Sequence, residues 1–450
     1  MTMLSDHLDA TQPGLPRAES DPPPPDPNRR LVIVVRADPV ICGHSGEARN
    51  LAEAALTRGF DDVRIVTWPI PALQAAGLPL KPLETVLPYS SGITVERPEP
   101  VGDYKVPDGR HLAGIVGRLV ELFTEDVPTT AMSLYLTPHD TAIAQAATIA
   151  RSTGMCAPLT TIAEAVGSDI TNVVRGALDE GRFGAAAQVL NTYLSNDVCV
   201  AVSEFTKQLI IDAADEVDAR WGTSFGPACA ARIATSYPAV DASTYVDLDP
   251  AETDQRLAAR GLERDGYVMF LSRVTKAKGV DDLINGFAMS AAAKRTRLVV
   301  CGTGPEAPAM RALAASTPVA DRIVFFDDVD DAEKPHLMAG SSAYVLASKP
   351  RPEFVETFGI ALVEKMLAGG GPIVTCETGG IIEAVGPHAR IVPTDHPAAI
   401  ANALSEIILG LSPGERVRWG QQARSYAMQF DRANVFDRLF ARVGAGSVAA

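Results

Sequence analysis

Short apolar runs alternate with longer amphipathic segments through the first half of the chain. Runs such as LVIVVRA (31–37) are apolar at nearly every position, as expected for strands buried on both faces of a parallel sheet. Segments with helical periodicity separate them, the clearest being GEARNLAEAALTRG (46–59) and GRHLAGIVGRLVELF (109–123). This alternation predicts an α/β domain. Its predicted strands are residues 31–37, 62–68, 129–135, 157–162 and 197–203.

The alternation stops near residue 237 and then begins again. The segment YPAVDASTYVDLDPAETDQ (237–255) holds turn-forming and acidic residues without periodicity, which is typical of a connection between domains. A second α/β domain is predicted after it, with strands at residues 267–273, 297–302, 322–328, 343–348 and 372–377. Each domain resembles a doubly wound, Rossmann-like unit. The carboxyl ends of both sheets are expected to face one cleft, where ligands of such sheets bind.

These patterns predict the limits of four segments in a chain of 450 residues, which is too long for one ordinary core. Residues 1–29, rich in proline and acidic residues, are expected to form a disordered tail. The two Rossmann-like domains are expected at 30–240 and 241–430. Residues 431–450 begin with the amphipathic segment DRANVFDRLFARV, predicted to be a helix that packs back on the first domain before a frayed end.

Charge and composition narrow the choice of ligand. The chain carries 55 acidic against 40 basic residues, a net charge of −15, without a basic run of the kind that binds nucleic acid. The same balance argues against docking on an anionic membrane, and no apolar stretch of about 18 residues predicts a membrane span. The six cysteines form no C-x-x-C pair, which favours buried thiols in a reducing compartment. A small soluble ligand and a cytoplasmic location are therefore expected, because the N-terminus also lacks the apolar region of a signal peptide.

The segment ETFGIALVEKMLAGGGP (356–372) predicts a short buried helix with an anion-binding start. Thr357 is the predicted N-cap, so Phe358, Gly359 and Ile360 would fill the first turn. Their backbone amides lack helical partners and the helix dipole adds partial positive charge, which suits a phosphate. An ordinary capped helix is the alternative interpretation.

Glu364 lies within this otherwise apolar helix. A lone buried carboxylate costs several kcal/mol unless something hydrogen-bonds to it. Either ligand hydroxyls, such as those of a ribose, or a structural partner is therefore expected. Glu356 lies just before the helix, where it can face the cleft.

Basic and glycine-rich positions follow two predicted strands of the second domain. Arg273 and Lys278 lie in the segment SRVTKAKG (272–279), where a forked and a point-like cation suit a diphosphate, although solvated cations are the alternative and Lys276 competes for the lysine role. Gly302 in CGTGPE (301–306) would allow a ligand close to the backbone.

The first domain offers a weaker pattern of the same kind. In the segment ICGHSGEARNL (41–51), Gly46 is predicted to start a helix opposite the diphosphate, with Arg49 nearby. The segment is not a G-x-G-x-x-G fingerprint, which places a nicotinamide-dependent oxidoreductase last among the hypotheses.

Taken in order, these motifs resemble those of the family 4 retaining nucleotide-sugar glycosyltransferases, which have the GT-B fold. The resemblance spans residues 30 to 440 approximately, and its most specific part is ETFGIALVEKMLAGGGPIVTCETGGIIEAV (356–385). That segment contains the E-x7-E pattern as Glu356 and Glu364, and Gly-Gly-x-x-Glu ending at Glu383. The resemblance implies an acceptor-side first domain and a second domain that binds the nucleotide sugar.

The resemblance also implies a role for each candidate residue. Arg273 and Lys278 would bind the donor diphosphate and stabilise the departing nucleotide, while Glu356 would hold hydroxyls of the donor sugar. Glu364 would accept hydrogen bonds from the ribose, and the backbone near Val329 would touch the base. Glu356, Arg273 and Lys278 are thus the predicted catalytic residues. The predicted substrate-binding residues are Gly46, Arg49, Phe358, Gly359, Ile360, Glu364, Gly302 and Val329.

No metal and no cofactor besides the donor are implied by the resemblance, and DDVDD (327–331) is interpreted as a solvated acidic turn. Relatives commonly place a histidine in a loop of the first domain facing the sugar. Here His139 is displaced and His44 lies in the glycine loop, so both are interpreted as loop histidines. In the front-face mechanism proposed for the family, the donor phosphate takes the acceptor's proton.

The predicted activity is transfer, with retention, from a UDP- or GDP-type sugar to a small soluble acceptor. The acceptor side is assigned to residues 81–110, and cyclitols, thiols, pseudo-sugars and specialised-metabolite intermediates all stay open. A GT-B nucleotide-sugar epimerase and a non-catalytic sugar-nucleotide binder are the alternatives. A homodimer is also left open.

Overall fold

The computed structural model describes residues 29–103, 109–352 and 354–446. Of the tail predicted at residues 1–29, all but Arg29 lies outside the described residues, and Arg29 begins the first strand. Two parallel sheets with helices on their faces make up this part of the chain, which confirms the predicted α/β fold with two Rossmann-like units.

The first sheet has seven strands in the order β3-β2-β1-β4-β5-β6-β7, and all neighbouring pairs are parallel. The second sheet has six strands in the order β10-β9-β8-β11-β12-β13, again parallel throughout. Both orders follow the doubly wound pattern, in which the direction of strand addition reverses beside the first strand. The strands are β1 Arg29–Val34, β2 Phe60–Val66, β3 Ile93–Glu96, β4 Thr129–Leu134, β5 Leu159–Ala165, β6 Val198–Ala201, β7 Ile233–Thr235, β8 Tyr267–Leu271, β9 Arg297–Cys301, β10 Ile323–Phe326, β11 Ala343–Leu346, β12 Ile373–Cys376 and β13 Ala389–Val392.

Each strand predicted from the sequence is present, and three others had not been predicted. These are β3, β7 and β13, and each lies at the edge of its sheet. An edge strand is not covered on both sides, so its residues are only partly buried, as the burial patterns of β3 and β13 show. The continuous apolar run that marks the central strands is therefore absent from them.

Helices connect the strands on both faces of each sheet. The helices are α1 Gly43–Leu56, α2 Ile70–Ala75, α3 Gly109–Phe123, α4 Thr141–Thr153, α5 Arg175–Asp179, α6 Phe183–Leu194, α7 Glu204–Trp221, α8 Phe225–Arg232, α9 Ser243–Val246, α10 Pro250–Ala259, α11 Val280–Met289, α12 Ala307–Ser316, α13 Lys334–Gly340, α14 Ile360–Ala368, α15 Ile381–Val385, α16 Pro397–Ser405, α17 Pro413–Ala427 and α18 Arg432–Gly446. Among the described residues, no helix is both long enough and apolar enough to cross a membrane.

The apolar cores follow the two sheets. On one face of the first sheet, β1 and β4 pack against α1 and α18, and on the other face against α3 and α4. The second domain is built around one large cluster that includes the apolar side of α14. Helix α18 follows the second domain in sequence but contacts the first, where Phe436 packs edge-on against Phe60 at 5.9 Å between ring centroids.

Candidate active site

Equivalent parts of the two sheets face each other, namely the points at which the strand order reverses. The reversal point of the first sheet lies between β1 and β4, and that of the second between β8 and β11. The loops after these four strands carry the polar residues described below. A side chain built on Gly43, at the start of α1, would lie 3.0 Å from Cδ1 of Ile360, at the start of α14. The two helix starts therefore meet across the cleft.

A salt bridge between Lys278 and Glu356 lies at the centre of the second-domain wall. The ammonium of Lys278 contacts Oε2 of Glu356, and both side chains are mostly buried, at 9% and 13% exposure. The Lys278 Nζ also lies 4.6 Å from the centre of the Phe354 ring, and Ser348 donates a hydrogen bond of 3.4 Å to Glu356. The two predicted catalytic residues thus hold each other in place at one point of the cleft.

Arg273 lies on the same wall but is exposed and has no hydrogen-bond or carboxylate partner among the described residues. Burial raises the pKa of the Cys42 thiol, and the charges of Arg36 and Arg273 oppose that rise. The charge of Arg273 therefore acts on Cys42, which lies at the start of α1 in the first domain. Lys276 is also exposed, so the buried partner of Glu356 is Lys278.

The start of α14 differs in detail from the sequence-based prediction. The helix begins at Ile360, and its N-cap is Gly359, with φ 102° and ψ 57°. Thr357 is therefore not the N-cap, because the glycine takes up the left-handed conformation that ends the preceding loop. The ring of Phe358 packs inward, stacked on Tyr237 at 5.4 Å, which leaves the backbone of Gly359 and Ile360 at the mouth of the cleft.

Two glycines of the Gly-Gly-x-x-Glu motif fix the backbone of Glu356. The amide of Gly380 donates to the carbonyl oxygen of Glu356 at 2.9 Å, and a Cβ on Gly379 would collide with the same carbonyl. Glu383 of this motif reaches the first domain, where its carboxylate accepts from the amides of Glu204 and Phe205 at 2.7 and 2.9 Å. The motif thus positions Glu356 and caps helix α7 across the cleft.

Glu364 has structural partners inside the second domain. Its Oε1 accepts from Lys334 Nζ and from the Tyr245 hydroxyl, both at 2.7 Å. Burial lowers the pKa of Lys334, but Glu364, Tyr245 and Asp331 together outweigh it and raise the pKa well above the usual value. Oε1 is thus satisfied without a ligand, and the side chain stays 13% exposed.

The fully buried charge of α14 is Lys365. Its ammonium donates to the carbonyls of Met338 and Gly369 and to the Ser341 hydroxyl, at 2.6 to 2.9 Å. A lysine beside a glutamate in sequence gave no sign that it is buried, because neighbouring side chains on a helix point roughly 100° apart and have different surroundings.

Two further predicted residues flank the cleft at the ends of β9 and β10. Gly302 has φ 122°, and a Cβ there would collide with the carbonyl oxygen of Ser272, so the close approach requires glycine. Val329 is partly buried against the second-domain core. Neither position has a side chain that blocks the cleft.

The acidic turn DDVDD is ion-paired rather than merely solvated. Asp327 pairs with Arg311 at 2.6 Å, Asp328 with Arg260 at 2.9 Å, and Asp331 with Lys81 at 2.6 Å. The pair between Asp331 and Lys81 joins the two domains. Among the described residues, no group of three or more histidine, cysteine or acidic side chains has metal-binding geometry.

The two predicted residues of the first domain are placed differently from Glu356 and Lys278. Helix α1 begins at Gly43, so Gly46 lies in its first turn rather than at its start, and its surroundings are open. Arg49 pairs with Asp38 at 2.8 Å and donates to the carbonyls of Leu87 and Pro88. Its guanidinium therefore makes these contacts within its own domain.

The first-domain wall also contains ionisable groups that the sequence did not predict for the site. His139 is 3% exposed and neither ring nitrogen has a partner among the described residues, and His44 Nδ1 is likewise buried and unpartnered. Burial, helped by the charge of Arg36, lowers the pKa of His44 to about 4 and that of His139 well below its usual value. Both imidazoles are therefore neutral near pH 7.

Two buried carboxyls lie beneath the same wall. Glu47 of α1 and Glu164 of β5 are each 1% exposed, and neither Glu47 oxygen has a conventional hydrogen-bond partner in the described structure. Burial raises the pKa of Glu47 to about 7 and that of Glu164 well above its usual value, with the neighbouring carboxyl adding to the second shift. The only sequence signal was their place in apolar segments, which does not show that they approach each other.

The comparisons with known proteins agree with the motifs of the second domain. Residues 254–426 match the model of the family "Glycosyl transferases group 1". A D-inositol 3-phosphate glycosyltransferase of Thermobifida fusca is 30% identical over 258 residues, 54% of this chain and 56% of the relative. An N-acetyl-α-D-glucosaminyl L-malate synthase of Bacillus anthracis is 28% identical over 34% of this chain and 38% of the relative. The chain thus spans about half or less of the length of these curated relatives.

Solved structures extend the likeness to both domains. Anabaena HepE, crystallised with UDP and glucose, is similar with a TM-score of 0.65 and 18% identity, over 92% of this chain and 99% of that one. Sucrose-phosphate synthase of Thermosynechococcus elongatus gives 0.65 and 16% identity, over 94% and 100%. At such identities the likeness shows the fold, which is GT-B. Residues 254–426, with the motifs of the second domain, are thus similar to the group 1 glycosyl transferases.

Proposed function

We propose that the protein transfers a sugar, with retention, from a UDP- or GDP-type sugar to a small soluble acceptor. The observation that carries the proposal is the buried pair of Lys278 and Glu356 beside the start of α14, at the reversal point of the second sheet. Ligands of open α/β sheets bind at such points. The match of residues 254–426 to the glycosyltransferase family supports this reading of the pair.

The chemistry requires the bond between the anomeric carbon and the diphosphate oxygen to break while a bond to the acceptor oxygen forms. Negative charge then develops on the departing diphosphate. Lys278, Arg273 and the amides at the start of α14 are proposed to stabilise this charge, as preorganised donors do in other enzymes. The acceptor's proton would pass to a diphosphate oxygen, so no protein base is needed on the first-domain wall.

Glu356 and Glu364 are proposed to recognise hydroxyls on either side of the diphosphate. Glu356 is oriented by Lys278 and by the backbone contact to Gly380, which suits a group that must hold one face of a sugar. For Glu364 only Oε1 is satisfied, by Lys334 and Tyr245, so Oε2 is left to accept from a ribose. Val329 and Gly302 line the same side, where the base is expected.

The curated relatives support a small acceptor. Their names specify an inositol phosphate and an L-malate glycoside, both of which are small and anionic. Catalysis without a metal and a cytoplasmic location are parts of the same proposal, and unchanged turnover in excess chelator tests the first. The acidic turn, whose carboxylates are ion-paired, is not expected to bind a metal.

Epimerisation of a nucleotide sugar is the second candidate, because the first-domain wall does contain histidines and carboxyls. However, Glu47, Glu164 and His139 are only 1–3% exposed, so a bound sugar would not reach them in this arrangement. Proton NMR of the nucleotide sugar incubated without an acceptor distinguishes the two reactions. A new sugar epimer formed at the catalytic rate would favour the second candidate.

The decisive experiment combines a nucleotide-sugar panel with variants of the central pair. A thermal-shift panel of UDP-, GDP- and dTDP-sugars identifies the donor, and nucleotide release is then measured with acceptor candidates. Lys278→Ala is expected to lower turnover about 100- to 1,000-fold, the usual cost of removing one transition-state donor. Lys276→Ala, the matched control on the same loop, is expected to cost less than about fivefold, as for an exposed cation. Equal turnover in both variants would contradict the proposal.

A further inference from the structure

Arg36 lies on the first-domain wall at the position that Arg273 holds on the second. Each arginine is the second residue after the first strand of its sheet, β1 or β8. Each sheet reverses its order beside that strand, so the two arginines are topological counterparts on opposite sides of the cleft. Arg36 is half-buried, whereas Arg273 is exposed.

The guanidinium of Arg36 has no hydrogen-bond or carboxylate partner in the described part of the chain. Its one specific contact is with the ring of Tyr135, whose centre lies 5.4 Å from Cζ. The neighbouring cations of the first domain have partners of their own: Arg49 pairs with Asp38 at 2.8 Å and Lys81 with Asp331 at 2.6 Å. Arg97 donates to the carbonyl of Trp68 at 2.7 Å.

A series of contacts connects Arg36 to the expected reaction centre. Tyr135, which its guanidinium covers, accepts a hydrogen bond of 3.2 Å from Ser168. The adjacent Gly167 packs so tightly on Thr357 that a side chain there would collide with the Thr357 methyl group. Thr357 is the residue next to Glu356. A short chain of contacts therefore connects Arg36 to the residue proposed to hold the donor sugar.

A half-buried guanidinium without a counter-charge is unfavourable unless a ligand supplies one. We propose that Arg36 binds an anionic group of the acceptor, a phosphate or a carboxylate, and so selects anionic over neutral acceptors. This inference rests on the proposed function, because it presumes that the first-domain wall receives the acceptor. The cation–π contact with Tyr135 holds the guanidinium in place while its N–H groups stay free.

The donor diphosphate does not account for this arginine. On the opposite wall, Arg273, Lys278 and the start of α14 already offer two cations and free backbone amides for a diphosphate. The neutral histidines His44 and His139 beside Arg36 add no further positive charge at pH 7. A single guanidinium among neutral groups suits one anionic group on a small molecule.

The test titrates anions into the full-length protein saturated with the nucleoside diphosphate that the donor panel selects, so that the donor phosphate site is filled. The probes are D-inositol 3-phosphate, L-malate and inorganic phosphate, with neutral myo-inositol as the comparison. Binding is measured by calorimetry or by thermal shift. Wild-type protein is expected to bind at least one anionic probe more tightly than myo-inositol. Arg36→Gln is expected to weaken that binding roughly 10- to 100-fold, the worth of a charge-assisted hydrogen-bond pair.

Two variants control for indirect effects. Arg182→Gln removes an exposed arginine that pairs only with nearby Glu180, and it is expected to leave anion binding unchanged. Arg36→Lys keeps the charge and is expected to recover part of the affinity. In all three variants nucleotide affinity should match wild type.

Three outcomes would overturn the inference: wild type shows no preference for the anionic probes, Arg36→Gln keeps that preference, or Arg36→Gln loses nucleotide affinity instead. These results are distinct from failure of the proposed function, in which no nucleotide sugar binds. In that case the same titration on the free protein still compares wild type with Arg36→Gln.

Discussion

The two domains share one strand order but satisfy their cleft-facing charges in different ways. In the second domain, the mostly buried charged side chains form pairs within the chain, Lys278 with Glu356 and Lys334 with Glu364, while the exposed Arg273 has no partner among the described residues. In the first, His139 and Glu47 are buried without conventional partners, and Arg36 has only an aromatic ring. The charged pairs of the second-domain wall are thus complete within the chain. The first-domain wall has polar groups whose partners the described chain does not supply.

The largest expected effect tests whether the second-domain pairing is structural. Lys334→Met should lower the free energy of unfolding by about 3–5 kcal/mol, because it leaves the Glu364 carboxylate mostly buried without its counter-charge. The double variant Lys334→Met/Glu364→Gln should recover a large part of that loss. Urea denaturation monitored by circular dichroism measures both. Lys294→Met, at an exposed lysine, is the matched control.

If Lys334→Met proves as stable as Lys294→Met, the pair does not stabilise the second-domain wall. The two domains would then differ in how their charged side chains are arranged, but this pairing would not contribute to stability. Loss of nucleotide affinity in a fully stable Lys334→Met variant would instead assign this lysine to the ligand.

A smaller effect tests the buried carboxyls of the first domain. The pKa of Glu47 is raised to about 7 by burial, so the folded state holds a proton that the unfolded state releases near pH 4.5. Folding is therefore favoured at low pH, and stability should fall as pH rises from about 5 to about 7. Glu47→Gln should remove the share of this loss that Glu47 causes, gaining roughly 1–3 kcal/mol over wild type at pH 8, since one pKa unit is worth about 1.4 kcal/mol, while Glu164 keeps its own share.

Urea denaturation at pH 5 and pH 8 measures the change. Glu53→Gln provides the control on the same helix, because the Glu53 carboxylate is partly exposed and accepts from the Ser90 amide. An equal pH dependence in wild type and Glu47→Gln would show that this buried carboxyl is already satisfied, and the contrast between the two walls would weaken.

The smallest effect compares one glycine from each helix start. Gly359→Ala should cost about 1–2 kcal/mol, because φ is 102° and the new Cβ would lie 3.0 Å from Leu362, and it should also weaken nucleotide binding. Gly46→Ala should instead be neutral or stabilising by about 0.5–1 kcal/mol, since Gly46 is helical with open surroundings. Thermal unfolding and nucleotide titration measure both variants. Weaker nucleotide binding in Gly46→Ala would support the sequence-based prediction that Gly46 faces the donor.

The sequence by itself determined the order of strands and helices and the motifs of the second domain. Central strands of a doubly wound sheet are largely apolar, so the strands predicted at 31–37 and 267–273 could be recognised without a structure, whereas the edge strands β3, β7 and β13 could not. Glu356 and Lys278 were predicted because each lies in a motif that is continuous in sequence. Their assigned roles in catalysis stay predictions.

Only the tertiary structure decided which charges meet. Lys334 and Glu364 are 30 residues apart, and Arg36 and Tyr135 about 100, so no local pattern shows that they are in contact. The same reason applies to Arg49. Its place near Gly46 in the sequence suggested a diphosphate ligand, but the fold places Asp38 beside it. Side chains at the ends of separate parallel strands are brought together by the sheet, and this long-range packing is what the sequence pattern leaves unspecified.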